Sequence, residues 1–262
     1  RSALSGDGGD EFFAGYGPYA ACLGNMPGFP PKRPIRTALA ALIRTLSPSG
    51  WDRRARLLPR AIRPGNAGTR LYNYTDLFLN GDPQSYYHRY YMMYWWHPDT
   101  VLLAGRAPAT EADDKSLSAR ISDPLSLMQY LDMRLYLAED IYTKMNRACM
   151  YYSLETRAPL LDARVFDYAL RIAPHMRMQN GVGKSMLRRV LYNYVPQRLV
   201  DRPKMGFGMP VGKWLKTSLR TWAEDLLAPD LLRRQGFFRP EVLRHAWQRH
   251  TSGASNWEYH LW

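Results

Sequence analysis

Apolar positions recur at helical spacing through most of this chain. Residues 34–47 carry Ile35, Ala38, Leu39, Leu42, Ile43 and Leu46, the stripe of an amphipathic helix. From residue 124 the pattern strengthens, with Leu125, Met128, Leu131, Leu135 and Ile141, and it continues over 140–152, 162–172 and 183–193. Asp123-Pro124 predicts the start of that run, with Asp as the cap and Pro at the first helical position. Residues 10–23 predict a further helix, with Asp10 and Glu11 in the first turn, where acids suit the helix dipole. Residues 2–5, Ser-Ala-Leu-Ser, read as the end of a buried strand that runs into a glycine-rich turn.

The remaining pattern is punctuation. Gly28-Phe29-Pro30-Pro31 breaks the first helical stretch, and Pro, Gly and Arg over 48–70 predict a connector with short helices. The aromatic run at 84–96 reads as a helix buried among other helices; a base-stacking platform would need strands or regularly spaced exposed rings. Residues 105–122 are polar and predict a surface loop. No internal repeat is visible, and no strand is expected after residue 5. The pattern therefore predicts a chain that is mostly helix and loop, with one short strand at its N-terminus.

Composition narrows the class. Hydrophobic residues make up 46% and aromatics 13%, enough for a sizeable core and too many for a disordered chain. The net charge of +13 points to anionic partners. The excess Arg is spread over 32–70, 164–202 and 233–249 without a dense block, so a basic solvated surface is the simpler reading than a nucleic-acid-binding helical module. The two cysteines, Cys22 and Cys149, form no close pair, which supports neither zinc nor a disulfide framework and favours a reducing, cytoplasmic setting. No apolar run reaches the length of a membrane span, and nothing resembles a signal peptide. Arg1 and the closing segment from Trp257 to Trp262 read as cut ends, so a fragment is expected.

The chemistry concentrates in Ser5-Gly6-Asp7-Gly8-Gly9-Asp10-Glu11. Glycines let the backbone turn sharply and approach a ligand, and a strand–turn–helix junction leaves N–H groups free for an anion. Carboxylates in the same loop repel a phosphate unless a cation intervenes, and magnesium, held by one or two carboxylates plus phosphate oxygens, is the usual one. Taken alone, the run reads first as an Asp/Gly-rich surface turn, since short glycine motifs match by chance. A second cluster spans 139–162, where Asp140, Lys144 and Arg147 share helical spacing and Glu155, Arg157 and Asp162 follow. There a structural ion-pair network and a substrate role stand level. Gly183-Lys184-Ser185 is not a P-loop, because Met178 stands where its first glycine belongs. Arg202-Pro203-Lys204 opens a basic turn that ends at Pro210.

These four segments, in this order, resemble the synthetase domain of the glutamine-hydrolysing asparagine synthetases, members of the ATP pyrophosphatase group. The resemblance implies an α/β parent domain with a parallel sheet, like the adenine nucleotide alpha hydrolases. It implies that residues 1–262 are the C-terminal part of that domain, with 25–122 a variable helical region and 123–262 the helical part carrying the later motifs. The glutaminase domain and a Ser-Gly-Gly-x-Asp-Ser pyrophosphate loop would precede residue 1, and the fragment alone is expected to be inactive. By the same resemblance Ser5 and Gly6 contact ATP, and Asp10 binds Mg2+ and pyrophosphate. Asp7, where many members carry Glu, supports adenylation of aspartate. Lys184 reaches the phosphates as a catalytic group. Lys144, Arg147, Glu155, Arg157 and Lys204 are candidates for substrate or structural roles. Asn146 departs from the Asp usual in the family. The implied partners are aspartate, ATP and glutamine-derived ammonia, with a homodimer as the candidate assembly and neither nucleic acid nor membrane involved. A relative amidating another carboxylate, on an envelope polysaccharide or a peptide, is the alternative.

Overall fold

β1 (Ser2–Leu4) pairs in parallel with β2 (Glu155–Arg157), so that Ser2, Ala3 and Leu4 face Glu155, Thr156 and Arg157. The computed structural model describes residues 1–23, 33–55, 57–59, 67–68, 71, 75, 83–88, 92, 95, 98–106, 108–201 and 209–262. Among these, helix predominates and the named strands form this one small sheet. β2 corrects the expectation of a single strand. Glu-Thr-Arg has no apolar run to announce it; pairing with β1 makes it extended. The Gly28–Pro31 break, part of the aromatic run and the segment from Arg202 to Gly208, with Lys204, lie outside the described residues.

The chain divides into two compact units. The first comprises Arg1–Pro30, Asp82–Met92 and Ala109–Lys204. Parallel strands need a long crossover, and residues 5–154 supply it between β1 and β2. The helix expected over 10–23 is broken in two, Gly9–Phe12 and Gly17–Cys22. Ala14 lies between them with φ 58°, a left-handed conformation that no helical pattern foretells.

Asp123 caps the helix Pro124–Leu131 as expected, its carboxylate accepting from Ser126 N at 2.7 Å. That helix passes into a π-helical stretch, Asp132–Tyr142, and then into Thr143–Tyr151. Leu125, Met128 and Leu131 pack with Ala14, Tyr19, Tyr87, Ala112 and Leu117. Ala112 and Leu117 thus anchor the polar segment 105–122, which holds a 3-10 turn, Glu111–Asp113, and a short helix, Leu117–Arg120, rather than loop alone. A second cluster joins Phe12 and Phe13 to Leu137, Ala169 and Ile172. The turn bearing Asp10 is therefore pinned between two hydrophobic cores.

The second unit comprises Pro31–Gly81, Met93–Pro108 and Met205–Trp262. The predicted amphipathic helix is present as Arg33–Arg44. Val211, Leu215, Ala223 and Trp247 form one of its cores. Val101, Leu232 and Leu243 form another. Also in this unit, His250 is fully buried, between Gly212 O and the N–H of Trp257. No described helix is long and apolar enough to cross a membrane.

Candidate active site

β1 delivers Ser5 to the end of the sheet, where its N–H donates to Arg157 O at 2.8 Å. The chain then turns through Gly6–Gly8 into Gly9–Phe12, with Gly9 N donating to Gly6 O at 3.2 Å and Phe12 N to Gly8 O at 2.9 Å. Gly15 N returns to Asp10 O at 2.7 Å and closes the turn.

Lys184 meets this turn from far along the sequence. Its φ of 59° is left-handed, at the entry to the helix Ser185–Tyr192, and its N–H donates to Phe13 O at 2.7 Å. Two glycines permit the approach. A Cβ at Gly183 would lie 1.7 Å from Ala14 O, and one at Gly15 would lie 2.1 Å from Asp10 Oδ1 and 2.3 Å from Lys184 Cε. The backbone atom facing Gly183 leaves no room for a Cβ, and one at Gly15 would force the Asp10 and Lys184 side chains to move. The result is an ion pair, Lys184 Nζ to Asp10 Oδ2, at 2.8 Å. Both side chains are about one-third exposed, at 33% and 28% respectively, so the pair can be reached from solvent.

The surroundings are electrostatically loaded. Glu11 is buried at 2% exposure, and desolvation raises its pKa, with Asp10 and Asp7 adding to the rise. Tyr16 donates to Glu11 Oε1 at 2.5 Å, and burial and this bond push its phenol upward. Asp7 Oδ2 and Ser5 Oγ are buried and have no hydrogen-bond partner among the described residues. A buried orphan of this kind costs free energy unless a ligand or ion satisfies it. No group of three or more His, Cys, Asp or Glu forms a metal cage among the described residues. Magnesium does not need one, since it takes one or two carboxylates and fills its octahedron with water and phosphate oxygens.

The structure thus brings Ser5, Gly6, Asp7, Asp10 and Lys184 to one turn. It gives the other candidates different surroundings. Lys144 pairs with Asp140 at 2.8 Å on an exposed helix face, the pairing that their spacing predicts, and Arg147 is exposed on the same helix. The Arg157 guanidinium pairs with Glu155 at 2.6 Å, also exposed. It is the backbone of Arg157, not its side chain, that holds Ser5. Asp162 caps the helix Ala163–Arg171, and its bonds to Arg164 hold its carboxyl down at about 2. Lys204 lies outside the described residues.

Sequence reasoning missed Gly15, Gln129 and Arg177. Gln129 Nε2 donates to Glu11 O at 2.5 Å, and Arg177 Nη1 donates to Gln129 Oε1 at 2.5 Å. A polar pair at buried positions, 1% and 4% exposed, is a signal visible only when burial is known.

The strand–glycine turn thus carries clustered carboxylates with one ammonium facing them. The chain belongs to the asparagine synthase family, whose model matches residues 1–262. It is similar to "Asparagine synthetase [glutamine-hydrolyzing] 1" of Bacillus subtilis, at 30% identity over 234 residues, covering 86% of this chain and 33% of that protein. A putative glutamine-hydrolysing asparagine synthetase of Mycobacterium bovis is 30% identical over 224 residues, covering 85% of this chain and 32% of its own length. The human glutamine-hydrolysing asparagine synthetase is 28% identical over 144 residues, covering 49% of this chain and 25% of its own. The chain thus spans about a third of the length of the first two relatives, at 33% and 32%. No solved structure matches it.

Proposed function

We propose that this chain forms one wall of the ATP site of an asparagine-forming ligase, in which the aspartate side chain is adenylated and ammonia from glutamine then displaces AMP. The contact between Asp10 and Lys184 carries this reading, because it joins two distant motifs into one charged site. Membership of the asparagine synthase family and the names of the relatives support the substrate.

The chemistry follows from the groups present. A carboxylate is a poor electrophile; transferring AMP to it makes a mixed anhydride that ammonia attacks readily. Pyrophosphate leaves in the first step, so negative charge develops on the β,γ-phosphates. Lys184, already aimed at the turn, stabilises that charge, the contribution expected of a positioned cation. Ser5 and Gly6 lie against the nucleotide, and a Cβ at Gly6 would meet open space. Asp7 supports adenylation. The residues fit magnesium: Asp10 would hold it, and in the same turn the buried Asp7 Oδ2 has no hydrogen-bond partner among the described residues, as a ligand-facing oxygen would. Bound there, the ion would neutralise phosphate charge and orient the leaving group.

Aspartate-dependent exchange of labelled pyrophosphate into ATP, measured on the full-length polypeptide, tests the reading. Exchange that requires aspartate and Mg2+ and is lost in Asp10→Asn and Lys184→Met supports it. Exchange indifferent to both substitutions, or to aspartate, overturns it.

A further inference from the structure

Arg177 is an unusual residue to bury. Its guanidinium is 4% exposed and meets only neutral acceptors, Gln129 Oε1 at 2.5 Å and Ser126 Oγ at 2.8 Å, while its Nε has no partner among the described residues. Burial depresses its pKa, with only the more distant Asp123 opposing. A buried cation without a contacting carboxylate is costly, and an apolar side chain of similar volume would pack at less expense. What the guanidinium achieves is orientation. It has donors only, so Gln129 must turn its oxygen towards Arg177 and its NH2 the other way. That NH2 meets the carbonyl of Glu11 at 2.5 Å.

Glu11 follows Asp10 in a helix of four residues, Gly9–Phe12. So short a helix does not hold itself, because nucleation fixes several dihedrals for each hydrogen bond formed. Its last carbonyls lack intrahelical partners and need outside donors. Gln129 supplies one at Glu11, adjacent to the residue whose carboxylate faces Lys184. The main chain beside Arg177 reaches the other partner: Ser185 Oγ donates to Met176 O, with the Arg177 carbonyl a second, longer acceptor at 3.2 Å. Ser185 directly follows Lys184. The segment Met176-Arg177 therefore braces both members of the ion pair, Asp10 through Gln129 and Lys184 through Ser185.

We infer that Gln129, oriented by Arg177, is a positioning residue that sets where the Asp10 carboxylate stands and hence how tightly the site takes a divalent cation. The inference rests on the proposed role of Asp10.

Gln129→Glu isolates the effect. It keeps the volume and gives Arg177 a carboxylate partner, but it puts an acceptor where Glu11 O needs a donor. The measurement is Mn2+ binding to the full-length polypeptide, by electron paramagnetic resonance with a non-hydrolysable ATP analogue present. It is paired with thermal unfolding and with the KM for aspartate in pyrophosphate exchange. The expected result is a Mn2+ dissociation constant raised about tenfold, with the KM for aspartate within about twofold and the unfolding midpoint nearly unchanged. A Mn2+ constant equal to that of the unsubstituted protein overturns the inference, whatever the change in stability. Asp10→Asn separates the two layers. If it leaves Mn2+ binding intact, the role given to Asp10 is wrong; if it weakens binding and Gln129→Glu does not, only the positioning role is wrong. Should Gln129→Glu not fold, Arg177→Lys carries the same test, since it retains the charge but cannot hold both Gln129 and Ser126 in the same fork.

Discussion

Lys184 Nζ lies 2.8 Å from Asp10 Oδ2, and the Lys184 N–H is bonded to Phe13 O at 2.7 Å, so backbone and side chain of one residue both grip the same turn. The left-handed φ of 59° at a residue with a side chain costs of order 1–2 kcal/mol, and this double grip offsets it. Such strain is tolerated where a group must be aimed, and here it aims the ammonium at a carboxylate in a half-open site.

Removing the ammonium tests that aim. Lys184→Met leaves Asp10 without the cation that faces it and the leaving pyrophosphate without its stabilising charge. Aspartate-dependent pyrophosphate exchange by the full-length polypeptide is expected to fall by about 10²–10³, the usual loss for one group that stabilises developing charge. Lys184→Arg is expected to rescue little, because the space between Gly15 and Asp10 is too tight for a planar fork.

The two close-packed glycines should respond differently. Gly183→Ala forces a methyl into Ala14 O, a backbone atom that cannot swing aside. It is expected to destabilise by about 1–3 kcal/mol or more, read by urea denaturation. Gly15→Ala meets mainly side-chain atoms, those of Asp10 and Lys184, which can move. Its expected effect is a loss of exchange activity larger than its loss of stability, and the two measurements together check it.

Asp132 predicts a pH dependence. It is 2% exposed and accepts from the phenols of Tyr19 and Tyr87, the latter at 2.6 Å. Burial raises its pKa from 3.8 to about 6, against those two bonds, and Glu11 adds to the rise. The folded state thus holds this proton more tightly than the unfolded chain. Its stabilising contribution is complete below about pH 4 and is lost as the pH rises through about 6, a change of the order of 3 kcal/mol. Asp132→Asn keeps an oxygen for both phenols and removes the titration. Urea denaturation is expected to show a flatter stability profile between these limits, and at neutral pH a variant at least as stable as the unsubstituted protein.

The exposed pair Glu155–Arg157 should matter little to stability. Its side chains are more than half exposed, at 59% and 64%, and such pairs contribute about 0–1 kcal/mol. Strand pairing runs through backbone groups, Ser5 N to Arg157 O and Glu155 N to Arg1 O. Glu155→Gln is therefore expected to shift the unfolding free energy by less than about 0.5 kcal/mol, as measured by denaturant titration.

Helices with a cap and a period were legible from residues alone. Asp123 before Leu125, Met128 and Leu131 names both the start and the buried face of its helix, because capping and amphipathicity are local. The same holds for the pairing of Asp140 with Lys144 one turn later. The break at Ala14 and the strand Glu155–Arg157 were not legible. Each exists through a distant partner: Lys184 N–H reaches Phe13 O beside the first, and β1 supplies the ladder for the second.

The run from Ser5 to Glu11 shows the division most clearly. By itself the sequence determined that this segment turns on glycine beside clustered carboxylates, since backbone freedom and charge are properties of the residues. Tertiary structure alone decided that Lys184 faces Asp10, that Gly15 and Gly183 clear the way, and that Arg177 and Gln129 brace the turn. Those relations depend on distances between segments far apart in the chain. Such distances are set by the packing of Phe12, Phe13 and Ala14 into two cores, and no local pattern encodes them.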